Sequence, residues 1–175
     1  MSIRKVMTIV LVFLLLLPIE GFGKGKPGSF KPGSEPEGFR GIKWGTDIST
    51  LKDMEVKEKD WYVRTGDKLK IGEAELISIA YGFYKGKFEC VMIEIKGQDN
   101  FSRIRDICFE LYGPVAPIHK TYHYIWRGNK TIMLLDTKSV TLSLWSPKYE
   151  ERFEKEKQEN PKKESQQLRE GKQDF

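Results

Sequence analysis

The stretch "AELISIAYGFYKGKFECVMIEIKG", residues 74–97, constrains the fold more than any other part of the chain. Two runs rich in β-branched and aromatic residues flank Lys85-Gly86, a dipeptide that suits a two-residue hairpin turn. Taking that turn literally pairs Phe83 with Phe88, Tyr81 with Cys90, Ile79 with Met92 and Ile77 with Glu94. One face then carries Ile77, Ile79, Tyr81, Phe83, Phe88, Cys90 and Met92. Side chains alternate with period two, so a one-residue slip would scramble that face. Val91, Ile93 and Ile95 make the opposite face apolar as well, and cover is expected on both sides at the far end of the hairpin.

Beyond the hairpin the period of the apolar residues changes. In "DNFSRIRDICFELYG", Phe101, Ile104, Cys108 and Leu111 recur at helical spacing, Asn100 stands where a cap belongs and Gly113 lies just past the end. A helix is predicted over about 100–112. Strand character returns in "KTYHYIWRGNKTIMLLD", with a turn at Gly128-Asn129, and in "SVTLSLWS", where Val140, Leu142 and Leu144 alternate with polar residues. Strands, one helix, then strands again describe an α+β domain: an antiparallel β-sheet of two hairpin or meander units with the helix packed on one face.

This domain is expected over 38–147, and it opens with "GFRGIKWGTDISTL". Three glycines before Thr46 invite a phosphate-loop reading. A phosphate loop needs lysine immediately before the Ser/Thr, to reach the terminal phosphates, and here Gly45 holds that place. The stretch reads instead as the way into the fold. Thr46 caps a short N-terminal helix, Asp47 lies in its first turn, Ile48 and Leu51 turn inward, and Phe39 and Trp44 pin the chain to the core.

The two ends read differently from the domain. In 1–23, Arg4 and Lys5 precede an apolar run and Gly21-Phe22-Gly23 supplies small residues for cleavage, the pattern of an export signal peptide. The run spans about 14 residues against roughly 20 for a helix that crosses a hydrocarbon core, so no transmembrane anchor is expected after cleavage. Residues 24–37 repeat Lys-Pro-Gly-Ser and read as a linker. Ser146-Pro147 starts a charged C-terminal helix over about 148–158, supported by a Glu151-Lys155 pair, and Pro161 begins a tail expected to be disordered to residue 175. The net charge of +5 comes from 30 basic residues scattered among 25 acidic ones, which gives a mixed surface rather than a nucleic-acid face.

Candidate chemistry is sparse. His119 and His123 lie four apart, on one side of an extended strand, and are weak candidates for a metal site that lacks a nearby third ligand. His123 is otherwise expected beside Ile125 on the sheet surface, and His119 in the loop after Pro117. Cys90 and Cys108 are the only cysteines, and the pairing above turns both toward the space between sheet and helix, where a disulfide is a possibility in an exported protein. The spacing of packed layers, about 10 Å, exceeds the reach of a disulfide, and the other reading is two core thiols. Tyr122, Tyr124 and Trp126, with His123, form an aromatic surface that would suit a small ligand. The sequons at Asn100 and Asn129 are assigned to the helix cap and the turn. No cofactor motif and no cluster of catalytic groups is present.

The strings "GFRGIKWGTDISTLKDM", "LKIGEAELISIAYGFYKGKFECVMIEIKG" and "NFSRIRDICFELYG" together resemble a group of small, exported, uncharacterised bacterial proteins, over about 38–146. The resemblance implies a periplasmic or cell-envelope location and brings no catalytic residue, cofactor or substrate. The expectation is a non-catalytic binding or interaction module of the envelope, with an envelope protein or a small ligand as partner. The alternative is a small-molecule or metal-binding periplasmic protein that uses the aromatic and histidine surface of the sheet.

Overall fold

The computed structural model describes residues 28–118 and 123–159. The signal segment 1–23, the first residues of the expected linker, His119, Tyr122 and the tail after residue 159 lie outside the described residues. The order of elements is β1 (Gly38–Phe39), β2 (Ile42–Lys43), β3 (Met54–Glu58), β4 (Trp61–Arg64), β5 (Lys70–Ile71), β6 (Ala74–Tyr84), β7 (Lys87–Ile95), α1 (Gly97–Tyr112), β8 (His123–Arg127), β9 (Ile132–Asp136), β10 (Thr141–Trp145) and α2 (Pro147–Glu159). The strands of the main sheet lie in the order β3-β4-β6-β7-β10-β9-β8, with β5 against β6, while β1 and β2 form a separate ribbon. Every pairing of these strands is antiparallel. The fold is α+β, with α1 on one face of the sheet. Among the described residues no helix is long and apolar enough to cross a membrane.

The central hairpin turns at Lys85-Gly86, both in the left-handed region, and pairs Tyr84 with Lys87 and Phe83 with Phe88 as the sequence predicts. One residue further the prediction fails. Glu89 bulges from β7, so Gly82 rather than Tyr81 faces Cys90, Tyr81 faces Val91 and Ile79 faces Ile93. A second irregularity at Ile77 brings Leu76 opposite Ile95 and Ser78 opposite Glu94. The bulge sends Val91, Ile93 and Ile95 to the α1 side, where Phe101, Ile104 and Cys108 pack on them, and sends Cys90 to the far side with Trp145, Ile125 and Leu134. Gly82 is required at this point, because a methyl group there would overlap the Cys90 sulfur and press on the Trp61 ring at 3.3 Å.

This geometry overturns the disulfide. Cys90 and Cys108 are free, both buried, and belong to core clusters on opposite sides of the sheet. Burial pushes each thiol up to about 12. The bulged Glu89 anchors the C-terminal helix. Its carboxylate accepts from the Ser146 hydroxyl and from Arg152 at 3.0 Å, and its carbonyl accepts from Ser146 N at 2.9 Å. Ser146 Oγ in turn accepts from Tyr149 N at 3.2 Å, the cap expected for that helix.

Helix α1 begins a turn earlier than its apolar spacing indicates. Asn100 is not its cap: its amide donates to Lys96 O at 2.8 Å and its side-chain oxygen accepts from Glu75 N at 3.0 Å, tying the helix to β6. The β8–β9 turn centres on Asn129-Lys130 instead of Gly128-Asn129, since Gly128 N donates to Thr131 O. The short N-terminal helix reduces to one 3-10 turn, Ile48–Thr50, capped by Asp47 rather than Thr46. Asp47 accepts from the Ser49 hydroxyl and Ser49 N, which draw its carboxyl down to about 2.

Residues 28–37, read from composition as linker, lie against the domain. Gly28 donates to Ile125 O and accepts from Arg127 N, occupying the outer edge of β8. The Phe30 ring meets Tyr112 edge-on at 5.7 Å, and Glu35 accepts from Thr131 N at 2.9 Å. Proline and glycine leave few side chains to bury, and backbone hydrogen bonds of Gly28 and Lys31 hold the segment together with Phe30 and Glu35. Trp44 completes this region, stacked on Phe88 at 4.9 Å with its indole N–H donating to Thr131 Oγ1 at 2.7 Å.

Two outcomes are expected. Trp44→Ala lowers unfolding free energy by about 3 kcal/mol in urea denaturation, through lost packing on Phe88 and loss of the indole bond to Thr131 Oγ1, whose own proton stays on Pro36 O. Intact mass of the non-reduced chain equals that of the reduced chain, and both thiols react with a thiol reagent only after unfolding.

Candidate functional site

The ribbon β1–β2 is joined by Arg40-Gly41, with φ of 47° and 81°, while Phe39 pairs with Ile42. Both turn residues lie in the left-handed region, which glycine accepts freely and arginine does not. Arg40 is held there by its surroundings. Its guanidinium is ion-paired with Asp67, donates to Lys70 O at 2.6 Å and lies 5.4 Å from the Phe39 ring centre. Asp67 also accepts from the Tyr81 hydroxyl at 2.5 Å. Burial, then the bond to Asp67, raises the Tyr81 hydroxyl above its ordinary range, so it stays a proton donor. Arg64 joins from β4, donating to Arg40 O at 3.2 Å and to Asp53 at 2.6 Å, and the second bond holds the Asp53 carboxyl below its usual value.

Beside this clamp the ribbon, β5 and α1 enclose a cavity of about 350 Å³. Its walls are Ile71, Ile104, Ile107 and Cys108, and its floor is made by Met133 and Leu144 of β9 and β10. Arg40 and Lys70 stand on its rim. The same two residues border a second, polar cleft of about 490 Å³ formed with Asp53, Arg64 and the loop 65–68. An apolar chamber therefore opens beside a charged one, and the clamped turn of the opening motif stands between them.

Of the candidate residues singled out from the sequence, Cys108 lies in the chamber wall, and Cys90, His123, Tyr124 and Trp126 lie elsewhere. Trp126 is fully buried, its indole N–H donating to Gly113 O at 2.8 Å, and Tyr124 packs edge-on against Phe109 at 5.4 Å. These aromatics anchor α1 and do not form the open surface that the sequence suggested. His123 is not on the sheet surface either: it is buried, with Nδ1 at 3.0 Å from Asp136 Oδ1. Among the described residues no group of three or more His, Cys, Asp or Glu is placed to hold a metal ion.

His123 belongs to a polar row, buried except for half-buried Ser78, that sequence reasoning missed. Ser78, Glu94, Thr141, Asp136 and His123 are consecutive cross-strand partners on β6, β7, β10, β9 and β8. Asp136 is the hub, taking the Ser139 hydroxyl at 2.7 Å and Lys138 N at 2.8 Å besides His123. Since Ser139 spends its proton on Asp136, the 2.7 Å contact with Thr141 has Thr141 as donor. Ser139 and His123 both lean on the carboxylate, so the serine is not activated by the imidazole as a nucleophile requires. Burial alone would raise the Asp136 carboxyl, but the bonds from His123 and Ser139 outweigh it and hold the group below 3.8.

No protein-family model matches the chain, and neither the curated proteins nor the solved structures contain a match.

The lowered Asp136 carboxyl fixes the sign of a pH effect. Its contribution is complete above the unfolded value near 3.8 and is lost as pH falls through the lower folded value. Asp136→Asn is expected to cost about 2 kcal/mol at neutral pH and to flatten the stability loss on acidification below about pH 4, as read by urea denaturation across pH.

Proposed function

We propose that the protein is an exported, non-catalytic binding protein of the periplasm or cell envelope, and that the chamber beneath α1 receives an apolar small molecule. One observation carries this: a cavity of about 350 Å³, walled by aliphatic side chains, opens beside a strained and heavily braced turn at Arg40. That volume falls in the range of small-ligand pockets, which are mostly apolar with a few fixed polar groups at the mouth. Backbone strain persists only where surroundings enforce it, and here the Asp67, Lys70 and Phe39 contacts do so at the mouth. A binding rather than catalytic role is supported by the thiols, whose high pKa keeps them protonated, and by the Asp136 hub, which leaves Ser139 without a base. The exported location is supported by the signal-like segment 1–23 and by the resemblance of 38–146 to small exported proteins.

The full chain is expected to take up the neutral probe N-phenyl-1-naphthylamine at one site, with a rise in fluorescence. Ile107, half-buried at the wall, is the position at which to fill the chamber. Ile107→Trp should weaken uptake about tenfold or more while leaving the circular dichroism spectrum and melting midpoint intact. Absent uptake, or unchanged uptake by a folded Ile107→Trp variant, rejects the reading.

A further inference from the structure

Resting on the chamber as a ligand site, we infer that its ligand is an anionic amphiphile, whose apolar chain enters the cavity while its phosphate- or carboxylate-type head sits in the adjoining cleft. The two spaces share Arg40 and Lys70 at their boundary, so one molecule can occupy both. The cleft is lined by Arg40, Arg64, Lys68 and Lys70 against only Asp53 and Asp67, an excess of two positive charges. Both carboxylates are already engaged, Asp53 by Arg64 and Asp67 by Arg40 and the Tyr81 hydroxyl. Those bonds fix the two guanidinium planes, and among the described residues each arginine uses two of its five N–H donors on the named partners. An oxyanion arriving in the cleft meets pre-oriented donors, with the Lys68 and Lys70 side chains exposed alongside.

The apolar surface at the same place is continuous with this. Leu111 on α1, at the cavity, is 49% exposed, and Leu69, between the two lysines, is 45% exposed. Apolar side chains left in water beside a cationic cleft match a ligand with both characters, whereas a neutral hydrocarbon would leave the cleft unused and a free anion would leave the cavity unused. Charge complementarity selects the sign of the head.

The test compares decyl phosphate, decanol and decyltrimethylammonium, each as a monomer, for displacement of N-phenyl-1-naphthylamine from the full chain. Decyl phosphate is expected to bind about tenfold or more tightly than decanol, decyltrimethylammonium the least, with the phosphate advantage shrinking as salt is raised toward about 1 M. Lys68→Glu combined with Lys70→Glu should bring decyl phosphate and decanol to within about twofold, and Lys68→Gln with Lys70→Gln, which perturbs folding least, should lie between. Equal affinities for decanol and decyl phosphate in the unmodified chain overturn the inference and leave the cavity reading standing. Inorganic phosphate bound as tightly as decyl phosphate overturns it in favour of a simple anion site. Capture by anionic phospholipid vesicles without binding of monomeric decyl phosphate overturns it in favour of a membrane surface. Failure of every decyl compound and of the naphthylamine rejects both the inference and the chamber.

Discussion

Strand β7 carries one residue more than its partner can match, and the rest of the structure is arranged around that surplus. With Glu89 pushed out of register, Val91, Ile93 and Ile95 turn toward α1 and Cys90, Met92 and Glu94 turn away. The helix side thereby gains an unbroken aliphatic floor, continued by Met133, Leu135, Leu142 and Leu144. The displaced carboxylate becomes the anchor for the start of α2, through Ser146 and Arg152. A bulge at this position also shortens the space over Gly82, where no side chain larger than hydrogen fits beside the sulfur of Cys90. One insertion thus sets the facing of a strand, the docking of a helix and the identity of a glycine.

The two faces of the sheet solve burial differently, although the far face too has an apolar cluster around Cys90, Ile125, Leu134 and Trp145. On the α1 side nearly every contact is aliphatic or aromatic, and the space left between the ribbon and the helix is the chamber. On the other side polar groups, buried except for half-buried Ser78, lie in a row across five strands, and they are tolerable only because they bond to one another. The charged clamp at Arg40 stands outside both layers. It reaches the core through the Phe39 ring and through the Tyr81 hydroxyl, which carries the position of a buried strand out to the mouth of the cavity.

Much of the architecture was legible in the sequence, because the turn at Lys85-Gly86, the helical spacing of Phe101, Ile104 and Cys108, and the Ser146 cap are local signals. The bulge was not, since a glutamate in an alternating strand reads as an ordinary outward residue. The unseen bulge accounts both for the wrong side assigned to Cys90 and for the disulfide that does not form. The polar row escaped notice for a related reason: Thr141 and Ser143 alternate with leucines, and such a pattern signals a solvated face when the sheet is covered on one side only. The chamber has no linear signature at all. Its lining comes from the ribbon, β5, α1, β9 and β10, which only the tertiary fold brings together.

The order of strands has a consequence for how such a chain reaches its native state. Strand β10, the last strand among the described residues, lies between β7 and β9, and among the described residues no other strand bridges the two halves. The outer edge of β8, for its part, is occupied by Gly28, which precedes every strand of the described residues. Synthesis in sequence order therefore delivers two open half-sheets with unpaired rims, and the piece that unites them arrives last. Closure must be a late, long-range event. Until it happens the two half-sheets share no strand pairing, and the edges that β10 will cover are open to wrong partners.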